Sequence, residues 1–256
     1  MSAWCKPTWA TARWSPRLTD PVLRVEDARA GYGELTILNG ITLAIPKGSW
    51  TTIIGANGAG KSTLLKLIAG LLPCRAGRVY HEGRDVTADP PLVRLAGGIG
   101  MVPQGRCNFP ALSVAENLKL GAYSRKLPKP QLAAELDEMS LRFPRLKERW
   151  HTLAGNMSGG EQQLLEMAMV LMSKPRLLLL DEPSLGLSPQ AMDVVFETIR
   201  QLIGNGITVL MVEQNAQQAL ERCDFGVVLE LGQVSLYEPA SAVLSHPDIR
   251  RMFLGL

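Results

Sequence analysis

The sequence contains no apolar segment long enough to cross a lipid bilayer. Its longest stretch without a charged side chain, Gly48–Gly60, includes glycine and asparagine and falls short of the roughly 18–20 apolar residues of a spanning helix. We therefore expect no transmembrane helix. The chain has only four cysteines, Cys5, Cys74, Cys107 and Cys223, and no C-x-x-C pair. This spacing argues against a zinc site and against a disulfide framework.

The sequence also has little net charge outside its first 24 residues. Its 27 basic and 24 acidic residues give a formal net charge of +3. Residues 1–24 hold four basic side chains and one acidic side chain, so residues 25–256 are neutral overall. A neutral body argues against nucleic acid as a partner. We predict that residues 1–21, with Trp4, Trp9 and Trp14, form a disordered basic tail. A misassigned start and a membrane-surface contact are the alternatives.

The length and the 46% hydrophobic content suit a single α/β domain over residues 22–256. Short, partly alternating apolar segments at Val22–Ala28 and Ile41–Ile45 predict the first strands. Asn39-Gly40, just before the second segment, suits a tight hairpin turn.

Apolar runs and helical patterns alternate through the rest of the domain. The predicted strands are Trp50–Ile54, Ile99–Val102, Leu177–Leu180 and Ile207–Val212. The predicted helices are Lys61–Leu71, Glu161–Met172 and Ser188–Ile203. Such continuous apolar runs are typical of strands buried on both faces, and their alternation with helices predicts a mainly parallel sheet.

Residues 106–164 have a different character, with helices and loops but no convincing strand. The S-x-x-E pattern that begins at Ser113 and ends at Glu116 is a capping box, which predicts a helix from about Val114. Apolar residues at three- and four-residue steps predict an amphipathic helix over Gln131–Phe143. We therefore predict a helical subdomain inserted into the α/β core.

A phosphate-binding loop follows the strand that ends at Ile54. The match to G-x-x-x-x-G-K-[ST] comprises Gly55, Ala56, Asn57, Gly58, Ala59, Gly60, Lys61, Ser62 and Thr63. Glycines let the backbone fold close around phosphate oxygens, and successive N–H groups and the next helix attract the anion. Lys61 is predicted to contact the β- and γ-phosphates of a nucleoside triphosphate, and Ser62 to offer a hydroxyl to Mg²⁺.

Two acids follow the predicted strand Leu177–Leu180 directly. A parallel strand delivers its last residues to the sheet edge where ligands bind. Asp181 is therefore a candidate to hold Mg²⁺, and Glu182 is a candidate base that polarises the attacking water.

The segment Met157-Ser158-Gly159-Gly160-Glu161 resembles the signature loop of ABC ATPases, usually written LSGGQ, with conservative departures at its first and last positions. We call Ser158–Glu161 the signature loop. The resemblance implies that it contacts the γ-phosphate of ATP held by a second ATPase subunit. It also implies a P-loop NTPase core with a mainly parallel sheet, an N-terminal antiparallel β subdomain and the inserted helical subdomain.

The same resemblance implies roles for further residues. Tyr32, in Gly31-Tyr32-Gly33, matches the aromatic that stacks on adenine. Gln104 resembles the glutamine that contacts Mg²⁺ or water and links the core to the helical subdomain. Ser184–Leu187 resembles the D-loop at the dimer interface. Gln214 stands where the family usually has a histidine that contacts the γ-phosphate. Glutamine can donate a hydrogen bond there but carries no charge, which predicts slow hydrolysis at this site.

The resemblance to ABC ATPases covers about residues 22–256. Within this range, the segments at residues 55–63, 157–163, 175–189, 212–220 and 251–255 together resemble those of the LivF-type ATPases of branched-chain amino acid importers. The resemblance implies an Mg-dependent ATPase that pairs with a homologous or identical subunit. It also implies two membrane permease subunits, a periplasmic substrate-binding protein, and a peripheral location on the cytoplasmic face of the inner membrane. ATPases of urea uptake, of lipopolysaccharide export or of soluble non-transport systems are the alternatives.

Overall fold

A computed structural model of the chain describes residues 21–253. The predicted disorder of the tail therefore lies outside the described residues, apart from Pro21, which already belongs to the first strand. Within residues 21–253, no helix is both long enough and apolar enough to cross a membrane.

The secondary structure of this range follows in chain order. The strands are β1 (Pro21–Tyr32), β2 (Leu35–Pro46), β3 (Trp50–Ile54), β4 (Ala76–His81), β5 (Arg84–Asp85), β6 (Ile99–Val102), β7 (Leu177–Asp181), β8 (Thr208–Val212), β9 (Phe225–Glu230) and β10 (Gln233–Pro239). The α-helices are α1 (Lys61–Ile68), α2 (Pro91–Ala96), α3 (Val114–Gly121), α4 (Lys129–Arg142), α5 (Pro144–Glu148), α6 (Gly159–Leu171), α7 (Pro189–Gly204), α8 (Ala216–Leu220), α9 (Ala240–Ser245) and α10 (Pro247–Phe253).

The larger sheet has six strands in the order β10-β9-β3-β8-β7-β6. All neighbouring pairs from β9 to β6 are parallel, and only β10 runs antiparallel to its neighbour. Its central strands are buried on both faces, with Trp50 packed in the core beside α6 and α7, and Ile53 in the core beside α1. The predicted mainly parallel α/β core is confirmed.

The smaller sheet is antiparallel and has the order β2-β1-β4-β5. The predicted hairpin turn at Asn39-Gly40 is wrong, because both residues lie inside β2. Ala28 pairs with Ile41 while the next residue, Arg29, pairs with Asn39, so Gly40 is the extra residue of a β-bulge. Its φ of 83° needs glycine there, which is the backbone preference that the sequence pattern suggested for a turn.

Between β6 and β7 the described chain forms helices α3 to α6, and one isolated β-bridge joins Ser113 to Leu153. The capping box at the start of α3 is confirmed, with the Ser113 hydroxyl accepting the Glu116 N–H at 3.3 Å. The predicted helix Lys61–Leu71 is too long: α1 ends at Ile68, because the Leu71 N–H turns back to the Lys66 carbonyl.

Candidate active site

Four parallel strands bring the predicted site residues to one edge of the larger sheet. β3 ends just before the phosphate loop, β6 before Gln104, β7 at Asp181, and β8 just before the segment that holds Gln214. Parallel strands place their carboxyl ends at the same edge, and ligands of such sheets bind there.

A cavity of about 450 Å³ opens at this edge. The predicted residues on its wall are Tyr32, Asn57, Gly58, Gly60, Lys61, Ser62, Thr63, Gln104, Glu182 and Gln214. Ile37, which the sequence did not suggest, and Leu185, which was predicted as part of the D-loop at the dimer interface, complete the wall. Residues separated by more than 180 positions in the chain therefore share one concave surface, large enough for a small ligand.

The phosphate loop has the conformation that its glycines permit. Gly60 has a φ of 101°, and a Cβ atom there would lie 2.9 Å from a methyl carbon of Leu38. The Lys61 side chain is buried, and its Nζ donates to the carbonyls of Gly55 at 2.9 Å and Ala56 at 3.2 Å. The loop thus holds an ammonium group at the N-terminus of α1, a position that attracts anions.

Behind the loop, Ser62 is hydrogen-bonded to Asp181, the candidate Mg²⁺ ligand. The Ser62 hydroxyl donates to Asp181 Oδ1 at 2.9 Å, across 119 positions of sequence. Asp181 is buried, and burial raises the pKa of its carboxyl group against the opposing effects of Ser62, Lys66 and Lys61. Hydroxyl and carboxylate oxygens side by side fit the ligand preference of Mg²⁺.

Glu182, the candidate base, lies beside Gln104, the residue predicted to contact Mg²⁺ or water. The Gln104 amide donates to Glu182 Oε2 at 2.8 Å, and both residues line the cavity. Glu182 has a φ of 51°, which is uncommon for a residue with a side chain. Such backbone strain is maintained where the surrounding structure fixes it, and here the Glu182 N–H donates to the Val212 carbonyl at 2.9 Å.

Two further predicted residues of the cavity wall, Tyr32 and Gln214, have exposed side chains. Tyr32, at the end of β1, is 48% exposed and free to offer its ring face to a planar base. Gln214 is exposed on the opposite segment, beyond β8.

The signature loop lies outside this cavity. Ser158 caps α6 in a second capping box, where its N–H and hydroxyl both donate to Glu161 Oε2 at 2.9 Å. Burial alone would raise the pKa of Glu161, but the hydrogen bonds from Ser158 and the charge of Arg149 outweigh it and lower the pKa. The helix N-terminus and its exposed glycine-containing turn form a surface that can hold phosphate oxygens.

Sequence reasoning missed one buried acid at the sheet edge. Glu213 directly follows β8 and is 2% exposed. Its carboxylate accepts the N–H of Ser184 at 3.0 Å and the N–H of Gln214 at 3.2 Å. The available signal was its position, because an acid directly after a buried parallel strand repeats the pattern of Asp181 after Leu180.

Comparison with known proteins agrees with this geometry. The family described as ABC transporter matches residues 38–185, which is more than half of the chain. The BraG protein of Pseudomonas aeruginosa, a high-affinity branched-chain amino acid transport ATP-binding protein, is 44% identical over 88% of this chain and 95% of its own length. The LivF protein of Archaeoglobus fulgidus, a probable branched-chain amino acid transport ATP-binding protein, is 39% identical over 92% of this chain and 99% of its own length.

Solved structures show the same architecture. The ADP conformation of an ATP-binding cassette from an ABC transporter has a TM-score of 0.82 and 28% identity, over 92% of this chain and 99% of that one. A nucleotide-free cassette has a TM-score of 0.81 at 28% identity, over 90% and 97%. The chain therefore belongs to the ABC transporter family, as an ATP-binding subunit that hydrolyses ATP.

Proposed function

We propose that this chain is the ATPase subunit of an importer for branched-chain amino acids. The observation that carries the ATPase site is the meeting of the phosphate loop, the Ser62–Asp181 pair and the Gln104–Glu182 pair around one cavity. The substrate class rests on two relatives whose names specify branched-chain amino acid transport and which match this chain over nearly their whole length.

In this proposal ATP binds along the cavity with its phosphates at the N-terminus of α1. The N–H groups of Gly55 to Thr63 surround the phosphates, and Lys61 Nζ exchanges its two carbonyl acceptors for phosphate oxygens. Tyr32 stacks on adenine, a contact worth about 1 kcal/mol that discriminates weakly between bases.

Mg²⁺ fits the oxygen donors at the base of the cavity. Ser62 and Asp181 would hold the ion, directly or through water. Gln104, which lines the same cavity as Ser62 and donates to Glu182, would take part. Within residues 21–253 no three His, Cys, Asp or Glu side chains form a metal site by themselves, so phosphate oxygens and waters would complete the coordination. When bound, the ion neutralises charge that builds up on the phosphates.

Hydrolysis needs a base and a group that holds the γ-phosphate. Glu182 accepts a proton from the attacking water, and its hydrogen bond from Gln104 fixes the carboxylate that does so. Gln214 donates its amide hydrogen to a γ-phosphate oxygen. Ser158 and the N–H groups of Gly159 and Gly160 act on the ATP of a second ATPase subunit, identical or homologous.

The same proposal places the chain at the cytoplasmic face of the inner membrane. There, two permease subunits receive the motion of the ATPase pair, and a periplasmic binding protein delivers the amino acid. The support is that relatives that match nearly the whole chain are named as ATP-binding proteins of transport systems.

Transport by the reconstituted complex tests this function. The chain is purified with its membrane subunits, inserted into vesicles together with the binding protein, and supplied with ATP and labelled leucine, isoleucine, valine or urea. We expect ATP-dependent uptake of the three amino acids with the wild-type chain and none with Lys61→Ala. Uptake of urea without uptake of leucine would contradict the proposed substrate class.

A further inference from the structure

The two segments that flank the catalytic end of the cavity are joined by one buried carboxylate. Leu185 and Glu182 line the cavity on one segment, and Gln214 lines it on the other. Glu213 lies behind this wall at 2% exposure. One of its oxygens accepts the Ser184 N–H at 3.0 Å, and the other accepts the Gln214 N–H at 3.2 Å.

A buried acid at this place is costly for the fold. Burial raises the pKa of Glu213, the hydrogen bonds from Ser184 and Gln214 oppose that shift, and the nearby Glu182 charge adds to it. A buried carboxylate is maintained when its hydrogen bonds compensate for lost hydration. The bonds that compensate here come from the two segments of the cavity wall, so the acid sets their separation.

We propose that Glu213 is a positioning residue for ATP hydrolysis. It holds the segment after Glu182 and the backbone of Gln214 at a fixed separation, so that the base and the amide face the same phosphate group. Glu213 does not line the cavity, so it acts through Glu182 and Gln214. The inference rests on the roles proposed above for Glu182 and Gln214.

The chemistry of the side chain makes this testable with a change of similar shape. In Glu213→Gln one acceptor oxygen remains, while the new NH₂ group faces a backbone N–H that needs an acceptor. One wall segment therefore loses its anchor. A shift of about 1 Å in catalytic geometry can cost up to about 100-fold in rate, so we expect kcat to fall about tenfold. Lys61, Ser62 and Tyr32 are positioned by other contacts, so KM for ATP should change less than about twofold.

The experiment measures kcat and KM for ATP with the full-length chain in its assembled complex. Glu213→Gln is compared with wild type and with Glu238→Gln, which makes the same chemical change on β10 and should leave both constants unchanged. Glu213→Asp keeps both acceptor oxygens on a shorter side chain and is measured likewise, in case Glu213→Gln does not fold. Thermal unfolding identifies which variants are folded.

Two further variants separate the possible outcomes. In a Gln214→Ala background the loss from Glu213→Gln should be smaller than about tenfold, because the two residues act through one path. An undiminished loss there, or normal kcat in folded Glu213 variants while Glu182→Gln is inactive, would overturn the positioning role alone. Normal turnover in Glu182→Gln would instead overturn the proposed site, and this inference with it.

Discussion

The cavity edge (Gly55–Thr63, Gln104, Asp181-Glu182 and Gln214) and the signature loop are both built around a helix N-terminus that follows glycine or serine. At the cavity edge, the start of α1 faces a concave surface lined by a lysine, a hydroxyl and an acid. At the signature loop, the start of α6 lies outside that cavity, and its serine and acid bond to each other in a capping box. The two regions share this local geometry but differ in chemistry, since of the two only the cavity edge brings an ammonium group and a candidate base together.

The largest difference between the two regions should come from Lys61→Ala. Removing the ammonium that faces the phosphates should weaken ATP binding about 1000-fold, since truncating one partner of a buried charge pair costs several kcal/mol. Titration with a fluorescent ATP analogue measures the affinity. Lys47→Ala, an exposed lysine just before β3, should bind like wild type. Unchanged affinity in Lys61→Ala would refute the phosphate-loop assignment.

At the cavity edge, a change of the candidate base should separate ATP binding from ATP hydrolysis. Glu182→Gln keeps the side-chain length and one oxygen that can accept from Gln104, but it removes the candidate base. Turnover should therefore fall about 100-fold or more while ATP affinity stays within about twofold. Phosphate release and equilibrium ATP binding are measured on the same preparation. A variant that hydrolyses ATP at the wild-type rate would show that the base lies elsewhere.

The two capping boxes allow a matched test of the signature loop. Ser113 and Ser158 have nearly the same cap geometry, with N–H to Oγ distances of 3.3 and 3.4 Å. Changing either to Ala should cost about 1 kcal/mol of unfolding free energy. Only Ser158→Ala should lower turnover, by about tenfold, because its hydroxyl is also the group that we propose binds the γ-phosphate of ATP on the second subunit. Equal losses of turnover in both variants would reduce Ser158 to a structural cap.

The smallest expected effect concerns the departure at the switch position. Gln214→His should raise turnover about threefold at pH 6 and less at pH 8, because a charged imidazole donates a stronger hydrogen bond to phosphate. Initial rates at the two pH values, each divided by the wild-type rate, measure the gain. If the Gln214→His rate equals the wild-type rate at both pH values, glutamine does not slow hydrolysis at this site.

The central strands were predicted well because they consist mainly of apolar residues, which is typical of strands buried on both faces. Trp50–Ile54 and Ile99–Val102 have the predicted bounds, since apolar runs on both faces leave few alternatives. The smaller sheet was predicted poorly. The positive φ that Gly40 supplies serves equally for a turn or a bulge, and only the pairing with β1 decides between them.

The candidate site shows the same division. Local sequence patterns predicted seven residues of the cavity wall, six in the phosphate loop and Glu182, while Tyr32, Gln104 and Gln214 came from the family resemblance. Glu213 and Ile37 were missed, and Leu185 was predicted only as part of the D-loop at the dimer interface, since their places depend on how distant segments pack. The bond from Ser184 to Glu213, for example, joins residues 29 positions apart.

The most direct test of the account is whether the cavity edge of one subunit works with the signature loop of another. Lys61→Ala and Ser158→Arg are purified separately and then mixed, with the wild-type chain as reference. A mixed pair combines an intact cavity edge from the second variant with an intact signature loop from the first. We predict that each variant alone is inactive and that the mixture regains ATP hydrolysis. A mixture no more active than its components, or wild-type hydrolysis by Ser158→Arg alone, would contradict a site shared between two copies of this chain.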